Sequence, residues 1–229
     1  MHKLWVLRIS VAAAVSFMLA FAHAETKSDT GLPRLVSFDF SSDLDAWTMT
    51  DPTAWKIEQE DGDGKLSLFG KSDYSPAVRS PHNIARVKDV IVTDFVLDVD
   101  AKQTGKEYGH RDLCFFFGYQ DPSHFYYVHL ATKADDHANS IFLVNDAPRV
   151  SIAQKRTNGT DWADGYHHIR IERDTTSGTI KVFFNDMDSP VMETVDKTFL
   201  YGSVGVGSFD DTGNFDNFTI HGIVKEASE

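Results

Sequence analysis

The chain has 229 residues, of which 34 are Asp or Glu and 22 are Lys or Arg, and its formal net charge at pH 7 is −12. A chain this acidic is a poor ligand for nucleic acid or for an anionic membrane, so both are excluded as general partners, although a locally basic pocket is compatible with the total charge. The single cysteine, Cys114, lies in an apolar stretch and excludes an internal disulfide. We expect it to be a small, buried side chain.

The first 24 residues have the pattern of a secretory signal peptide. A basic start precedes an apolar stretch at residues 11–21, and residues 22–24 form an A-x-A cleavage site. The apolar stretch is too short to anchor the chain in a membrane, and no later segment is long and apolar enough to span one. The sequence therefore predicts export to the periplasm or the extracellular space.

The rest of the chain is divided into three predicted parts. Residues 25–33 are polar and are expected to form a flexible lead-in, residues 34–223 one folded domain, and residues 224–229 a polar tail. One domain of this length can bury a sizeable core. The sequence has no GxSxG motif, no Gly-rich phosphate loop and no dinucleotide fingerprint.

Short runs of alternating polar and apolar residues, separated by Gly, Pro, Asn and Asp, recur along the predicted domain. Period-two alternation with aromatic and β-branched residues is typical of β-strands. Thr93 and Asp94 interrupt one alternating run and predict a β-bulge. The predicted strands are 36–40, 55–58, 65–69, 89–100, 113–119, 125–131, 140–145, 150–155, 167–173, 179–185, 202–209 and 214–220. This spacing predicts an all-β, antiparallel sandwich or barrel without helices.

Several segments, in this order along the chain, resemble one superfamily. They are SFDF, DLDAWT, WKIE, KLSLFG, IRIERDTTSGTIKVFFND and the closing YGSVGVGSFDDTGNFDNFTIHG. The chain is similar to the concanavalin A-like lectin/glucanase superfamily. More narrowly, it resembles the laminin-G-like jelly rolls of secreted bacterial proteins, including the 3-keto-disaccharide hydrolase domain family. The resemblance implies a jelly roll of two curved antiparallel sheets with ligands bound on or beside the concave face.

The resemblance does not determine the activity. The superfamily includes lectins, glycan-binding modules, glycoside hydrolases and polysaccharide lyases. This sequence lacks an ExDxxE run on one strand, so the closely spaced carboxylates of a retaining glycoside hydrolase are not evident. It also lacks a clear acidic site for hydrolysis of a keto-sugar.

The segment 109–149 contains most of the residues suited to chemistry. Alternation within 125–131 places Tyr127 and His129 on one strand face, directed outward if the intervening residues fill the core. His, Asn and Arg side chains surround this pair in sequence. Proton abstraction beside a sugar carboxylate requires a base, an acid and a group that neutralises the carboxylate.

These requirements lead to a predicted site. Its expected catalytic residues are Tyr127, His129, His137, Asn139 and Arg111. In a uronate-specific polysaccharide lyase, Tyr127 or His137 would transfer protons, while Asn139 and Arg111 would neutralise the carboxylate. The expected substrate-binding residues are Arg149, Phe125 and His110.

The leading hypothesis is a secreted protein that binds or processes a polysaccharide through this sheet face, where aromatic rings can stack on sugars. The first alternative is a polysaccharide lyase, and the second is a non-catalytic adhesive laminin-G-like module with protein partners. Whether the chain is an enzyme (a lyase or a glycoside hydrolase), which glycan it recognises and how it oligomerises all remain open from sequence.

A structural Ca²⁺ ion is the one cofactor expected. Asp39 lies in the first predicted strand and Asp216 near the start of the last, and first and last strands are often neighbours in jelly rolls. Carboxylate oxygens are the ligands that Ca²⁺ prefers. Zinc is less expected because the histidines lack a recognised ligand spacing, and adjacent His167 and His168 point to opposite faces of a strand.

Overall fold

A computed structural model describes residues 31–42 and 44–226. The predicted signal peptide and most of the lead-in lie outside these residues. The described chain forms sixteen strands and a single-turn 3-10 helix, Pro52–Ala54. No helix among the described residues is long and apolar enough to cross a membrane.

The strands have the following bounds. They are β1 (Arg34–Phe38), β2 (Trp47–Met49), β3 (Trp55–Glu60), β4 (Asp63–Leu68), β5 (Asn83–Val87), β6 (Val92–Gln103), β7 (Asp112–Asp121), β8 (His124–Ala131), β9 (Ser140–Asn145), β10 (Val150–Ser151), β11 (Lys155–Arg156), β12 (His167–Arg173), β13 (Thr179–Phe184), β14 (Met192–Val195), β15 (Ser203–Ser208) and β16 (Gly213–Val224).

Two antiparallel sheets pack face to face. The nine-stranded sheet has the order β11-β14-β13-β12-β6-β16-β4-β3, with β1 also paired to β16, and the seven-stranded sheet has the order β10-β9-β8-β7-β15-β5-β2. This arrangement confirms the predicted all-β antiparallel sandwich of two sheets. The first and last strands are neighbours, as expected, because Phe38 pairs with Phe218.

Long alternating runs were predicted well and short ones were not. The bulge at Thr93 and Asp94 is present, since the pairing of β6 with β16 shifts between Phe95 and Val92. The predicted strand 150–155 is in fact two separate strands, β10 and β11, which belong to different sheets. The short strands β2, β5 and β14 were missed because three to five residues carry little periodicity. The last strand continues to Val224, into the predicted tail.

The main core lies between the sheets. It is built from the inward residues of the alternating strands, including Leu97, Phe115, Val128, Ile171 and Phe215, all of which are fully buried. Burial of such side chains stabilises the fold by roughly 1.5–3 kcal/mol each. The period-two pattern therefore sets both the strand assignment and the position of this core.

The outer face of the seven-stranded sheet is also buried, which the alternation of β8 did not predict. It carries a second apolar cluster: Ile84, Cys114, Phe116, Tyr119, Phe125, Tyr127, Phe142 and Val144. Val78 packs against this cluster, and the segment 71–82 that contains it is termed the covering segment below. The continuous apolar run of β7, buried on both faces, is the sequence signal for this second layer.

Candidate functional site

A cavity of about 250 Å³ lies at the edge of this aromatic layer, where β7 begins and β8 ends. Its lining consists of Arg79, Tyr108, His110, Asp112, His129, His137, Arg149, Phe209 and Asp210. Depressions of about 410 Å³ and 500 Å³ lie on the nine-stranded sheet. Neither contains a histidine, whereas the smaller cavity has three histidines and two arginines. We therefore place the candidate site in the smaller cavity.

Asp112 is a fully buried carboxylate at the cavity wall. Its Oδ2 atom accepts from the backbone N–H of Phe209 at 3.0 Å and lies 3.3 Å from His129 Nε2. The Cys114 thiol at 3.1 Å and the Ser208 hydroxyl at 3.3 Å also point to Oδ2. Burial would raise the pKa of Asp112, but His129 and these donors outweigh it and hold the pKa below its usual range.

Arg149 also lines the cavity. Its guanidinium carbon lies 4.3 Å from the ring centre of Phe209 and 5.1 Å from that of Phe142. The two terminal nitrogens donate to Tyr127 Oη at 3.1 Å and to the His137 carbonyl at 2.8 Å. Stacking and two hydrogen bonds fix the planar group in one orientation.

Two buried polar atoms of the cavity residues lack partners. His129 Nδ1 and Arg149 Nε have no hydrogen bond to any described residue. A buried polar atom without a partner costs about 1–3 kcal/mol, so such atoms often mark the place of a bound molecule or an ordered water.

The rim of the cavity is held by carboxylates. His110 pairs with Asp135, and Tyr108 donates to Asp211 at 2.7 Å. Asp211 also accepts from the backbone N–H of Asp112 at 3.0 Å. Burial is the main cause that raises the pKa of Asp211 to about 6.

The structure brings together four of the eight residues predicted for catalysis and substrate binding. His110, His129, His137 and Arg149 line the cavity. Tyr127 lies beneath it, fully buried, and burial raises its pKa well above the usual value even though Arg149 acts in the opposite direction. The expectation that Tyr127 is presented to solvent is corrected, because the covering segment and Arg149 close that face.

Phe125, Asn139 and Arg111 lie outside the cavity lining. Phe125 is fully buried in the aromatic layer, with its ring stacked 5.1 Å from that of Tyr119. The expected sugar contact of Phe125 is therefore replaced by packing inside the protein.

Asn139 is a structural residue. It has a positive φ of 51°, which Asn tolerates better than most residues, and it is fully buried. Its Oδ1 accepts from Thr160 Oγ1 at 2.7 Å and from the Ala131 N–H at 3.3 Å, and its Nδ2 donates to the Thr157 carbonyl at 3.0 Å. All these contacts are internal, so the geometry gives Asn139 no free group with which to neutralise a sugar carboxylate.

Arg111 is also turned away from the cavity. Its side chain is buried and donates to the Trp162 carbonyl at 3.1 Å. Successive residues of an extended chain point to opposite sides, which explains why Asp112 faces the cavity and its neighbour Arg111 does not.

Five cavity residues were not predicted: Arg79, Tyr108, Asp112, Phe209 and Asp210. Arg79 lies in a Ser- and Pro-containing loop whose course over the sheet has no sequence signal. Asp112 had a usable signal, because it is a carboxylate at the start of an apolar strand and on the same face as His129 once the strands pair.

The expected calcium ligands do not form a cluster. Asp39 is exposed and accepts from Ser41 N at 3.0 Å and Ser41 Oγ at 2.7 Å, while Asp216 is ion-paired to Lys65. Among residues 31–42 and 44–226, two groups of side chains are close enough to share an ion, and neither includes Asp39 or Asp216. These groups are Asp112, Cys114 and His129, and Asp112, Asp210 and Asp211.

The sequence matches no protein-family model and no curated protein. Solved structures do match its fold. The carbohydrate-binding module CBM66 from Bacillus subtilis has a TM-score of 0.55 and 18% identity, covering 80% of this chain and 99% of that one. The seed lectin of Lotus tetragonolobus has a TM-score of 0.52 and 14% identity, covering 84% and 100%.

A third structural match is a GH43 protein from Bacillus licheniformis. Its TM-score is 0.56 and its identity 12%, and the match covers 81% of this chain and 39% of that one. At these identities the likeness establishes a shared jelly-roll fold.

Proposed function

We propose that this protein binds carbohydrate, with the cavity beside Arg149 and Asp112 holding one terminal sugar of a glycan chain. The observation that carries the proposal is the cavity lining, in which acidic, guanidinium and imidazole side chains occur together with the aromatic rings of Tyr108 and Phe209. These groups suit sugars, since carboxylate and guanidinium groups bind hydroxyls in pairs and aromatic faces pack on sugar CH groups.

The size of the cavity supports a terminal sugar over the middle of a chain. Its volume of about 250 Å³ is below the range of about 300–1,000 Å³ that is usual for larger ligands. The aromatic face that was expected to form an open platform for a polymer is buried, and Val78 of the covering segment packs against it. What is left suits one sugar ring better than the middle of an extended polysaccharide.

The structural neighbours agree with this proposal at a coarse level. One is a carbohydrate-binding module and another is a lectin, and both share the jelly roll over nearly their whole length. Export of this chain by its predicted signal peptide would place it where extracellular glycans occur.

A polysaccharide lyase is the second candidate. His137 and His110 lie beside Arg79 and Arg149, so a base and cationic groups for a uronate are close together. Tyr127 is a poor proton donor in this arrangement, because it is fully buried and hydrogen-bonded to Arg149. A lyase at this site would therefore depend on His137. The adhesive-module alternative has no supporting feature in the cavity.

Calorimetric titration with oligosaccharides of increasing length tests the proposal. The panel consists of neutral β-glucan, xylan and fructan series, and alginate, glucuronan and pectin series. A terminal-sugar site predicts that molar affinity for one series levels off after one or two units. Affinity that continues to rise with length would contradict it, because an extended face gains contacts with each added sugar.

Matched variants link the binding to the cavity. Asp210→Ala and Arg79→Ala alter exposed lining residues, and each should weaken binding by about tenfold or more, the loss of one charged hydrogen bond. Asp188→Ala and Arg34→Ala change exposed residues that do not line the cavity, and they should leave the binding affinity unchanged. Release of unsaturated uronate that disappears in His137→Ala would show the lyase function instead. No affinity across the panel would overturn the carbohydrate proposal.

A further inference from the structure

We propose that Asp112, Cys114 and His129 form a mononuclear zinc site in the wall of the cavity. Asp112 and Cys114 are two residues apart on β7 and therefore share a strand face, and Cys114 pairs directly with His129 on β8. The three donor atoms thus come from one face of two adjacent strands. All three side chains are buried.

The distances suit a shared metal ion. Asp112 Oδ2 lies 3.1 Å from Cys114 Sγ and 3.3 Å from His129 Nε2. With zinc–ligand distances of about 2.0–2.3 Å, the ligands of a tetrahedral ion lie about 3.3–3.6 Å from one another. The three donor atoms all lie within 4.8 Å of one another, which is close enough for one ion to contact them after the side chains adjust.

Crowding at one oxygen is the second observation. Four donors point to Asp112 Oδ2: Phe209 N, Ser208 Oγ, Cys114 Sγ and His129 Nε2, all within 3.3 Å. A carboxylate oxygen offers about two lone-pair positions. A divalent ion bound to Oδ2, Sγ and Nε2 reduces this conflict by replacing two of the four contacts with one, because the thiol releases its proton to solvent and the imidazole nitrogen binds the metal through its lone pair.

The remaining contacts would then support the metal ligands. The Phe209 N–H and the Ser208 hydroxyl continue to donate to Asp112 and so orient it, as outer partners do in metal sites. Thiolate and carboxylate together neutralise the two charges of the ion. Sulfur, nitrogen and oxygen donors in one set favour zinc over calcium or magnesium.

A three-ligand site leaves one coordination position, and Asp112 and His129 both line the cavity. The open position would therefore face the space proposed for the sugar. Sequence spacing could not reveal this site, because its histidine comes from the neighbouring strand. Zinc binding is measured without sugar, so the result does not depend on the proposed carbohydrate function.

Cobalt and zinc titration of the untagged, chelator-treated protein tests the proposal. The chain has one cysteine, so a sulfur-to-cobalt charge-transfer band can arise only from Cys114. We expect this band at one equivalent of Co²⁺ and its loss on addition of Zn²⁺. Absence of the band in the wild-type protein would overturn the proposal.

Variants assign the ligands. Cys114→Ser and His129→Gln should each weaken zinc binding by about 100-fold or more, since even outer partners of a metal site contribute 10–100-fold. His124→Gln, on the same strand and partly exposed, is the control and should bind as the wild type does. Circular dichroism verifies folding, and Cys114→Ala replaces Cys114→Ser if the serine variant does not fold.

The second group of side chains, Asp112, Asp210 and Asp211, offers only oxygen ligands and shares Asp112 with the proposed site. Variants of the residues that the two groups do not share distinguish them. Calcium binding that is stronger than zinc binding, lost in Asp210→Asn and kept in Cys114→Ser, would overturn the zinc proposal. Zinc binding that Cys114→Ser leaves unchanged would overturn it as well.

Discussion

The outer face of the nine-stranded sheet is polar and in contact with solvent, whereas that of the seven-stranded sheet is aromatic and covered. On the first, Asp98 and Asp100 of β6 meet His168 and Arg170 of β12 in a ladder of charged hydrogen bonds. On the second, aromatic rings stack beneath the covering segment, and several histidine, arginine and carboxylate side chains meet at the cavity. Paired charged side chains thus extend along the first face, although Asn214 Oδ1 and His221 Nδ1 of β16 lack partners among the described residues. On the second face, titratable side chains are concentrated at the cavity.

This difference indicates on which face a ligand can form the most favourable new hydrogen bonds. A sugar bound on the charged ladder would have to compete with ion pairs that are already formed. In the cavity, burial has left His129 Nδ1 and Arg149 Nε without partners among the described residues, and a bound hydroxyl could satisfy such atoms. The predictions below contrast the two faces, beginning with the largest effect.

Truncation of the aromatic layer should have the largest effect on stability. Phe125→Ala removes a fully buried ring and should lower the free energy of unfolding by about 3–5 kcal/mol in guanidinium titrations. Phe69→Ala, whose ring is 50% exposed, is the control and should change it by less than about 0.5 kcal/mol. Equal effects of the two variants would show that the covered face is not a second core.

The buried ion pair of the nine-stranded sheet should come next. Lys65 pairs with Asp216, and each side chain is only 8% exposed. Lys65→Met leaves a buried carboxylate without its cation and should cost about 3 kcal/mol. Adding Asp216→Leu should recover most of this loss, measured as a double-mutant cycle. A loss that the second change does not reduce would contradict the pairing.

The two outer sheet faces also show how far the sequence could predict the fold. Alternation gave the inward residues of the long strands, because a strand has the same period wherever it packs. It could not distinguish a solvated outer face from a covered one at Tyr127, since that depends on where the segment 71–82 runs. The cavity lining was predicted in part for the same reason: His129, His137 and Arg149 are near one another in sequence, but Arg79 and Asp210 come from distant loops.

A smaller, pH-dependent effect is expected at His168. Hydrogen bonds to Asp100 and Asp98 raise its pKa to about 9. Because the folded pKa lies above the unfolded value of about 6.5, the stabilisation is complete below pH 6.5 and is lost as the pH rises to 9. The His168 side chain is 41% exposed, so we expect only about 1 kcal/mol after solvent screening.

The measurement is the free energy of unfolding of the wild type and of His168→Gln between pH 6 and pH 10. The difference between the two proteins should shrink over this range. A difference that is constant with pH would show that His168 contributes by packing and not by its charge.

The position of the ligand is the central claim, and mapping of backbone amide NMR shifts tests it most directly. The protein is titrated with whichever oligosaccharide binds in calorimetry. The account predicts that the largest shifts lie at Asp112, His129, Arg149 and Asp210, around the cavity, with the charged ladder near Asp98 unaffected. Shifts concentrated on the nine-stranded sheet, with the cavity residues unchanged, would contradict it.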